Sequence, residues 1–286
     1  MKHNILVTGS EGFIGKRLTA RLVSEGYEVC AFNRSCGDIS SKDNLPFKNI
    51  AHVLHLAAKT FVPASWQNPY SFYNTNVMGT ANVLEFCRKN GCSLTFVSSY
   101  IYGTPKELPV SEKHPVNPGT PYSHSKYMAE ELCRFYADNF KVKVTILRPF
   151  NIYGPAQNDS FLIPAIIKQA LDSSTDTIEV MDLLPRRDFL YVEDFVDALM
   201  LTIQDDNYAL YNVGAGYSLS VSDVIQTVLD VLNTDKKVIS KDVVRENEIN
   251  DVIADITKIR NELNWQPKHS FNEGIIEIIR STCLRK

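Results

Sequence analysis

The chain has 286 residues, of which 44% are hydrophobic, and this is enough to bury one large core or the cores of two closely joined lobes. A formal net charge of −3 offers no basic surface for nucleic acid, and no run of like charges indicates an anionic membrane as a partner. The apolar run at the N-terminus is too short for the core of a signal peptide, so we expect a cytoplasmic protein that binds small molecules or proteins.

Strand and helix patterns alternate through the first half of the chain. Strands are predicted at residues 4–8, 27–32, 52–57, 94–98 and 142–147, and helices at about 14–25, 69–89 and 123–139. The alternation predicts an α/β fold, a Rossmann-type doubly wound parallel sheet with ligands at the carboxyl ends of its strands. The second half contains an apolar segment, 189–203, and two helices with capping-box starts, Ser220 with Asp223 and Ser270 with Glu273.

The cysteines and histidines show no pattern of metal ligation. None of the six cysteines belongs to a CxxC pair, and none of the six histidines has ligand spacing beside them. For a cytoplasmic protein this predicts free thiols and no metal.

Three glycines follow the first predicted strand in the segment VTGSEGFIG. Gly9, Gly12 and Gly15 give the spacing GxxGxxG before a helical pattern. Such glycines permit a tight turn, a close approach of backbone to a pyrophosphate and close packing of the helix. The segment is therefore either a dinucleotide-binding turn or an ordinary turn.

The second predicted strand ends in Asn33 and Arg34. In dinucleotide-binding folds an acidic residue at this point binds the ribose hydroxyls, whereas an arginine accommodates a 2′-phosphate. Arg34 therefore favours NADP over NAD, and the alternative is a surface arginine in a loop.

The segment TPYSHSKYMAEEL carries the candidate chemistry. Tyr122 and Lys126 are four residues apart and share one face of a helix. A neighbouring ammonium is expected to lower the pKa of the phenol and make Tyr122 a proton donor or acceptor. Ser98 and Ser99 end the strand LTFVSS, where a hydroxyl can bind a substrate carbonyl or alcohol. Without these serines, a tyrosine–lysine pair at this spacing is more often a solvated helix face than a site.

Together these segments resemble the extended short-chain dehydrogenase/reductase family, in particular its nucleotide-sugar epimerases, dehydratases and 4-ketoreductases. The resemblance covers nearly the whole chain, because seven further segments occur in the order of the family's motifs. They are HLAAKTFVPAS, NTNVMGTANVLEFC, FVSSYIYG, RPFNIYGP, RRDFLYVEDFVDAL, YNVGAGYSLSV and ADITKIRNELNWQP.

The resemblance implies a role for each matching residue. The catalytic residues would be Ser98, Tyr122 and Lys126, with Lys126 also holding the nicotinamide ribose. The cofactor-binding residues would be Gly9, Gly12, Phe13, Ile14, Gly15, Asn33, Arg34, Asp38, Ile39, Leu56, Ala57, Ala58, Asn76, Pro149 and Ile152. The substrate-binding residues would be Ser99, Asn151, Arg187 and Arg245, and the two arginines suit a diphosphate.

Two departures from the family pattern bear on the activity. The 4,6-dehydratases have an Asp-Glu pair after the catalytic hydroxyl residue, and here Ser99 and Tyr100 occupy those positions, so we expect no dehydratase. The segment between the second strand and HLAA is also short, as in the family's small 4-ketoreductases. The adenine-binding roles of Asp38 and Ile39 depend on whether this short segment still forms the pocket.

The resemblance leaves three activities open. Arg34 and the short segment favour an NADPH-dependent 4-ketoreductase of a nucleoside-diphosphate 4-keto-6-deoxy sugar. RPFNIYGP and RRDFLYVEDF are closer to an NAD-dependent 4-epimerase such as UDP-glucose 4-epimerase. A non-catalytic nucleotide-binding scaffold is the third reading, although it would not need Ser98, Tyr122 and Lys126. The sequence leaves the base, the sugar and the face that receives hydride undecided.

The resemblance also predicts the domain arrangement and the assembly. An NAD(P)-binding domain would comprise residues 1–150 and about 188–213, and a nucleotide-sugar-binding lobe about 151–187 and 214–286. Helices 69–89 and 123–139 match those that form the four-helix bundle of dimeric relatives. Val77, Leu84, Leu132 and Phe135 would then lie in a homodimer interface or, alternatively, in the core.

Overall fold

The computed structural model describes residues 4–41, 45–204, 208–243 and 248–284. Within these ranges the strands are β1 Asn4–Thr8, β2 Glu28–Phe32, β3 Ile50–His55, β4 Ser93–Val97, β5 Val144–Pro149, β6 Asn151–Tyr153, β7 Thr177–Val180, β8 Arg186–Arg187, β9 Phe189–Tyr191, β10 Ala209–Val213, β11 Leu219–Ser220 and β12 Lys237–Ser240. The α-helices are α1 Phe13–Ser24, α2 Val62–Gln67, α3 Pro69–Phe72, α4 Gly79–Asn90, α5 Pro121–Phe140, α6 Leu162–Leu171, α7 Val192–Leu201, α8 Val221–Leu232, α9 Thr257–Leu263 and α10 Phe271–Cys283.

Six strands form one parallel sheet in the order β10-β5-β4-β3-β1-β2. The strand order changes direction between β1 and β3, which is the point where doubly wound sheets bind ligands. Helices cover apolar strands whose residues are almost wholly buried, as in β5. The predicted α/β, Rossmann-type parallel sheet is therefore confirmed.

The helix predicted at 69–89 is present as a continuous helical run of three segments. It consists of α3, a π-helix at Tyr73–Met78, and α4, which ends before Gly91 at a φ of 68°. A π-helix contains an extra residue in its turn, which changes the direction of the side chains that follow. Asn76, in the π-helical segment, is 1% exposed and lies in the interior.

The chain divides into two compact units. Unit 1 consists of Met1–Gly103, Glu112–Pro149 and Val196–Val213, and unit 2 of Thr104–Ser111, Phe150–Phe195 and Gly214–Lys286. Unit 1 contains the six-stranded sheet. Unit 2 contains three two-stranded sheets, β6–β9, β7–β12 and β8–β11. The predicted assignment of cofactor and substrate to separate domains remains a prediction.

Both predicted capping boxes of unit 2 are confirmed. The Ser220 hydroxyl accepts a hydrogen bond from the Asp223 amide at 3.0 Å, and the Ser270 hydroxyl accepts one from the Glu273 amide at 3.3 Å. In each case the acidic side chain accepts a hydrogen bond from the serine amide. These reciprocal bonds start α8 and α10 where the sequence places them.

All six cysteines lie in the described part of the chain, each as a free thiol. Cys87, Cys92 and Cys133 are buried in the core of unit 1, whereas Cys36 and Cys283 are exposed. Among the described residues, no helix combines the length and apolar character needed to cross a bilayer.

Candidate active site

The turn after β1 is built from glycine for steric reasons. Gly9 has a φ of 70°, and a Cβ atom there would lie 2.8 Å from the backbone nitrogen of Ala57. A Cβ atom at Gly15 would overlap the carbonyl oxygen of Gly9. The Gly12 amide donates to the same carbonyl at 2.9 Å and closes the turn. Any side chain at Gly9 or Gly15 would therefore disrupt the turn.

The turn leads directly into the N-terminus of α1. Gly12 is the N-cap, and no side chain caps this end among the described residues. Phe13 and Ile14 form the first turn, which contains no acidic residue. Uncapped amides and the positive end of the helix dipole favour an anion, and the glycine cradle leaves its backbone bare. These features fit a dinucleotide pyrophosphate.

The loop after β2 contains the residues predicted to contact the adenosine end of a cofactor. The Asn33 side-chain oxygen accepts a hydrogen bond from the Ser35 amide at 2.8 Å, and its nitrogen donates to Glu11 at 3.1 Å. Arg34 is exposed. The side chain of Arg34 is therefore placed where a ligand in solution can reach it.

Asp38 and Ile39 differ in their surroundings. Hydrogen bonds from the Ser40 amide and hydroxyl hold the pKa of Asp38 below its usual value, and the charges of Lys59 and Arg34 add to this effect. Ile39 is only 6% exposed and belongs to the hydrophobic core. Asp38 is accessible to a ligand, whereas the Ile39 side chain is occupied with packing.

Leu56, Ala57 and Ala58 follow β3 and are tied to β1. The Leu56 amide donates to the Thr8 carbonyl and the Ala57 amide to the Thr8 hydroxyl, each at 3.2 Å. The Thr8 hydroxyl in turn lies 2.6 Å from Nδ1 of His55. The end of β3 is therefore held against the end of β1, beside the glycine turn.

His55 is a buried residue that the sequence did not single out. Its Nε2 lies 3.1 Å from the hydroxyl of Thr80, which donates to the Asn76 carbonyl at 2.6 Å. Because that hydroxyl uses its proton on Asn76, Nε2 of His55 is assigned as the protonated nitrogen. Burial lowers the pKa of His55 to about 3, and the Lys126 charge adds to the shift, so the ring is neutral.

Asn76 connects two segments that carry predicted site residues. Its side-chain oxygen accepts from the Lys59 amide at 2.8 Å, and its nitrogen donates to the Lys59 carbonyl at 3.1 Å and the Ser125 hydroxyl at 2.9 Å. Ser125 donates to the Tyr122 carbonyl at 2.7 Å. The amide of Asn76 thus fixes the residues after β3 relative to the start of α5.

Ser98 and Ser99 lie where β4 ends. They are 3% and 7% exposed, and neither Oγ atom has a hydrogen-bond partner of ordinary geometry among the described residues. A buried hydroxyl without a partner costs free energy, so both atoms are suited to bind a ligand.

Tyr122 lies in the first turn of α5, between the capping-box residues Thr120 and Ser123. Its ring packs edge-on against Phe72, with 6.4 Å between centroids. Burial raises the pKa of Tyr122, and the nearby Ser99 hydroxyl opposes this shift without making a hydrogen bond of ordinary geometry. The expected lowering of this pKa by Lys126 is not seen, because burial dominates.

Lys126 is 3% exposed, and its Nζ lies 4.2 Å from the centroid of the Phe96 ring. Burial lowers the pKa of Lys126 to about 8. Phe96 lies on β4, two residues before Ser98. Unit 1 therefore brings the ends of β1, β3 and β4 and the start of α5 into one hydrogen-bonded and packed arrangement.

The remaining predicted residues belong to other elements of the fold. Pro149 ends β5 in unit 1, whereas Asn151 and Ile152 lie on β6 in unit 2. Arg187, also in unit 2, forms an ion pair with Glu248 and donates to the Ile249 carbonyl at 2.6 Å. Arg245 lies outside the described residues. Arg187 is therefore already paired in this structure.

Asp188 organises unit 2 although the sequence did not mark it. Its carboxylate accepts hydrogen bonds from the amides of Ala215, Gly216 and Ala254, and its carbonyl accepts two from Asn151. A buried carboxylate with several backbone donors is recognisable only from tertiary structure. Asp188 thereby orients Asn151.

Comparison with known proteins places these features in a family. The family model described as NAD dependent epimerase/dehydratase family matches residues 5–214. GDP-6-deoxy-D-mannose reductase of Pseudomonas aeruginosa is 30% identical, over 98% of this chain and 97% of the relative. UDP-glucose 4-epimerase of Lactobacillus helveticus is also 30% identical, over 95% of this chain and 94% of the relative.

Solved structures show the same architecture. The crystal structure of UDP-glucose 4-epimerase with UDP-glucose from Thermotoga maritima matches with a TM-score of 0.93 and 27% identity, covering 99% of each chain. Other solved neighbours contain NAD or NADPH.

Proposed function

Because the chain belongs to the NAD dependent epimerase/dehydratase family, we propose that it is a nucleotide-sugar oxidoreductase that reduces a nucleoside-diphosphate 4-keto-6-deoxy sugar at C4. NADPH is the proposed reductant and Tyr122 the proposed general acid. The observation that carries the proposal is the placement of the Tyr122 phenol in the first turn of α5 near Ser99, since the Ser98 and Ser99 hydroxyls are buried without a hydrogen-bond partner among the described residues. A ketone reduction requires such a proton donor.

The glycine turn and the start of α1 are proposed to hold the pyrophosphate of the cofactor, with Asn33, Arg34 and Asp38 at the adenosine end. Leu56, Ala57, Ala58, Asn76, Pro149 and Ile152 would complete its site. When bound, the dinucleotide supplies the hydride. Ser98 would orient the substrate oxygen, Tyr122 would protonate it, and Lys126 would bind the ribose through its ammonium.

Asn151, Arg187 and Arg245 are proposed to bind the nucleotide sugar, with the arginines on the diphosphate. Arg187 is paired with Glu248 in this structure. Binding of a diphosphate through Arg187 would therefore require this ion pair to be exchanged or shared.

Free thiols at all six cysteines are consistent with a reducing cytoplasm as the place of action.

A 4-epimerase is the second candidate, and the identity to UDP-glucose 4-epimerase supports it as much as the identity to the reductase supports the first. An epimerase oxidises the C4 alcohol first, so Tyr122 would have to accept a proton before donating one. The nucleotide released on denaturing the purified protein separates the two. Retained NAD with weak binding of added NADPH would favour the epimerase, and an empty protein that binds NADPH tightly would favour the reductase.

The exposed Arg34 guanidinium is expected to select NADPH. Arg34→Ala should weaken NADPH binding about 10–100-fold, the value of a charge-assisted hydrogen bond, and leave NADH binding unchanged. Fluorescence titration with both dinucleotides measures this. Arg21→Ala, another exposed arginine on the neighbouring α1, is the control. Equal losses of affinity for NADPH and NADH would show that Arg34 does not bind the 2′-phosphate.

We also propose a homodimer formed through a four-helix bundle of the helical segments 69–90 and 121–140. Leu84 is buried in the core, whereas Phe135 is 54% exposed on α5. Other exposed apolar side chains on α2–α5 or next to them include Phe61, Val62, Trp66, Tyr70, Met78, Met128 and Phe140. Exposed apolar surface of this extent is typical of an interface.

Light scattering should give twice the mass of the chain, and Phe135→Asp should reduce it to the mass of one chain because a buried carboxylate opposes association. Val23→Asp is the control, since Val23 is 59% exposed on α1, away from these helices. A monomeric mass for the unmodified protein would contradict the proposal.

A further inference from the structure

A buried ion pair lies beneath the candidate site in unit 1. Nε of Arg148 donates to Glu130 at 3.0 Å and Nη2 at 2.6 Å, and the two side chains are 6% and 3% exposed. Nη1 donates to the Tyr102 hydroxyl at 2.8 Å, which donates to the Asn212 side chain at 2.6 Å. The network thus connects α5 with β5, β10 and the segment after β4.

Glu130 lies on the face of α5 that carries the proposed chemistry. Tyr122, Lys126 and Glu130 follow one another at intervals of four residues, so they stack along one face of the helix. Arg148 holds Glu130 through two parallel bonds, which restrict both rotation and sliding of α5 over β5. A shift of α5 would move Tyr122 and Lys126 together.

The pair does more than pack the helix. Two apolar side chains of similar volume would fill the same space without the desolvation cost of two charges. Lys126 is a third buried charge one helical turn away, and the Glu130 charge raises the Lys126 pKa against the effect of burial. Arg148 holds the carboxylate in place for this role.

The other groups that act on Lys126 are uncharged. A Cys133 thiolate on the same helix would raise the Lys126 pKa more than Glu130 does. Burial raises the pKa of Cys133 far above the usual range, however, so its thiol keeps its proton and carries no charge. His55 on β3 is neutral, because burial and the Lys126 charge lower its pKa. Phe96 on β4 presents its ring face. Glu130 therefore supplies the negative charge that acts on Lys126.

We propose that Glu130, held by Arg148, is a positioning residue that aligns Tyr122 and Lys126 and keeps the Lys126 ammonium charged in a buried site. The catalytic part of this inference rests on the proposed function, whereas the effect on Lys126 does not. Glu130 affects the reaction indirectly, through the charge of Lys126 and through the position of α5.

The titration of Lys126 is the direct test. The ε-carbon NMR signal of ¹³C-lysine-labelled protein, assigned by its loss in Lys126→Met, is followed against pH. In Glu130→Gln the midpoint should fall by about one pH unit, because a nearby opposite charge is removed and burial then acts unopposed. Glu85→Gln on α4 removes an exposed partner of Arg88 and should leave the midpoint unchanged.

A second variant separates this role from folding. Glu130→Leu/Arg148→Met replaces both charges by apolar groups and should fold stably. We expect a downward shift of the Lys126 midpoint that is smaller than in Glu130→Gln, because the double variant also removes the positive charge of Arg148, together with a lower pH for the alkaline loss of NADPH affinity. An unchanged Lys126 midpoint in the folded double variant would overturn the proposal.

The NMR result needs no substrate. If no nucleotide sugar is turned over but the Lys126 midpoint falls, the proposed function is wrong and the inference on Glu130 holds. If the nucleotide sugar is turned over but the Lys126 midpoint is unchanged, the inference on Glu130 is wrong and the proposed function is retained.

Discussion

Tyr122→Phe is expected to lower turnover of the nucleotide sugar by about 10²–10⁴-fold, because it removes the proton donor and keeps the ring. Packing of the ring against Phe72 does not involve the hydroxyl, so the fold should be retained. NADPH binding should be nearly unchanged, since the proposed cofactor contacts come from other residues. Steady-state kinetics and fluorescence titration of the same preparation measure the two effects.

Tyr136→Phe provides the matched control, because Tyr136 lies on the same helix and packs against Phe140 with 5.0 Å between centroids. Its turnover should equal that of the unmodified protein. Full turnover of Tyr122→Phe would show that the proton comes from another group. A scaffold without catalysis would instead show no turnover for either variant or for the parent protein.

Arg148→Met is expected to lower the free energy of unfolding by about 3–5 kcal/mol, because Glu130 would remain buried without its partner. Urea denaturation at neutral pH, followed by circular dichroism, measures this loss. The Tyr102 hydroxyl also loses a donor, which adds to the effect. Glu130→Leu/Arg148→Met should recover most of the stability, since no unpaired charge remains.

Arg88→Met is the control for removal of an arginine. The Arg88–Glu85 pair is 2.7 Å long, but its side chains are 40% and 35% exposed. Exposed pairs of this kind contribute about 0–1 kcal/mol. A loss for Arg148→Met no larger than for Arg88→Met would show that water or a rearranged partner compensates Glu130.

Local sequence patterns were sufficient to predict the framework. The strands β1–β5 lie within two residues of their predicted positions at either end. Strand positions could be predicted because the pattern of apolar residues and the glycines between strands are both local features of the sequence. The capping boxes of α8 and α10 could likewise be predicted from the sequence, since the two residues of each box are three positions apart. The glycine turn could be located for the same reason, and the family match confirms the resemblance.

The environment of the candidate site could not be predicted in this way. Tyr122 and Lys126 were identified from their spacing, but the direction of the Tyr122 shift was wrong because burial depends on residues distant in the chain. Asn76 is buried in a π-helix that no periodicity in the sequence indicates. No local pattern indicates that the Ile39 side chain packs in the core of unit 1.

The sequence by itself determined the order of strands and helices, the glycine turn and the residue types available for proton transfer, since these depend on neighbours within a turn or a strand. Only the tertiary structure decided the pairing of Glu130 with Arg148, the tautomer of His55 and the pKa directions of Tyr122 and Lys126. Each of these depends on side chains brought together from separate strands and helices, where burial changes the free energy of every charge and hydrogen bond.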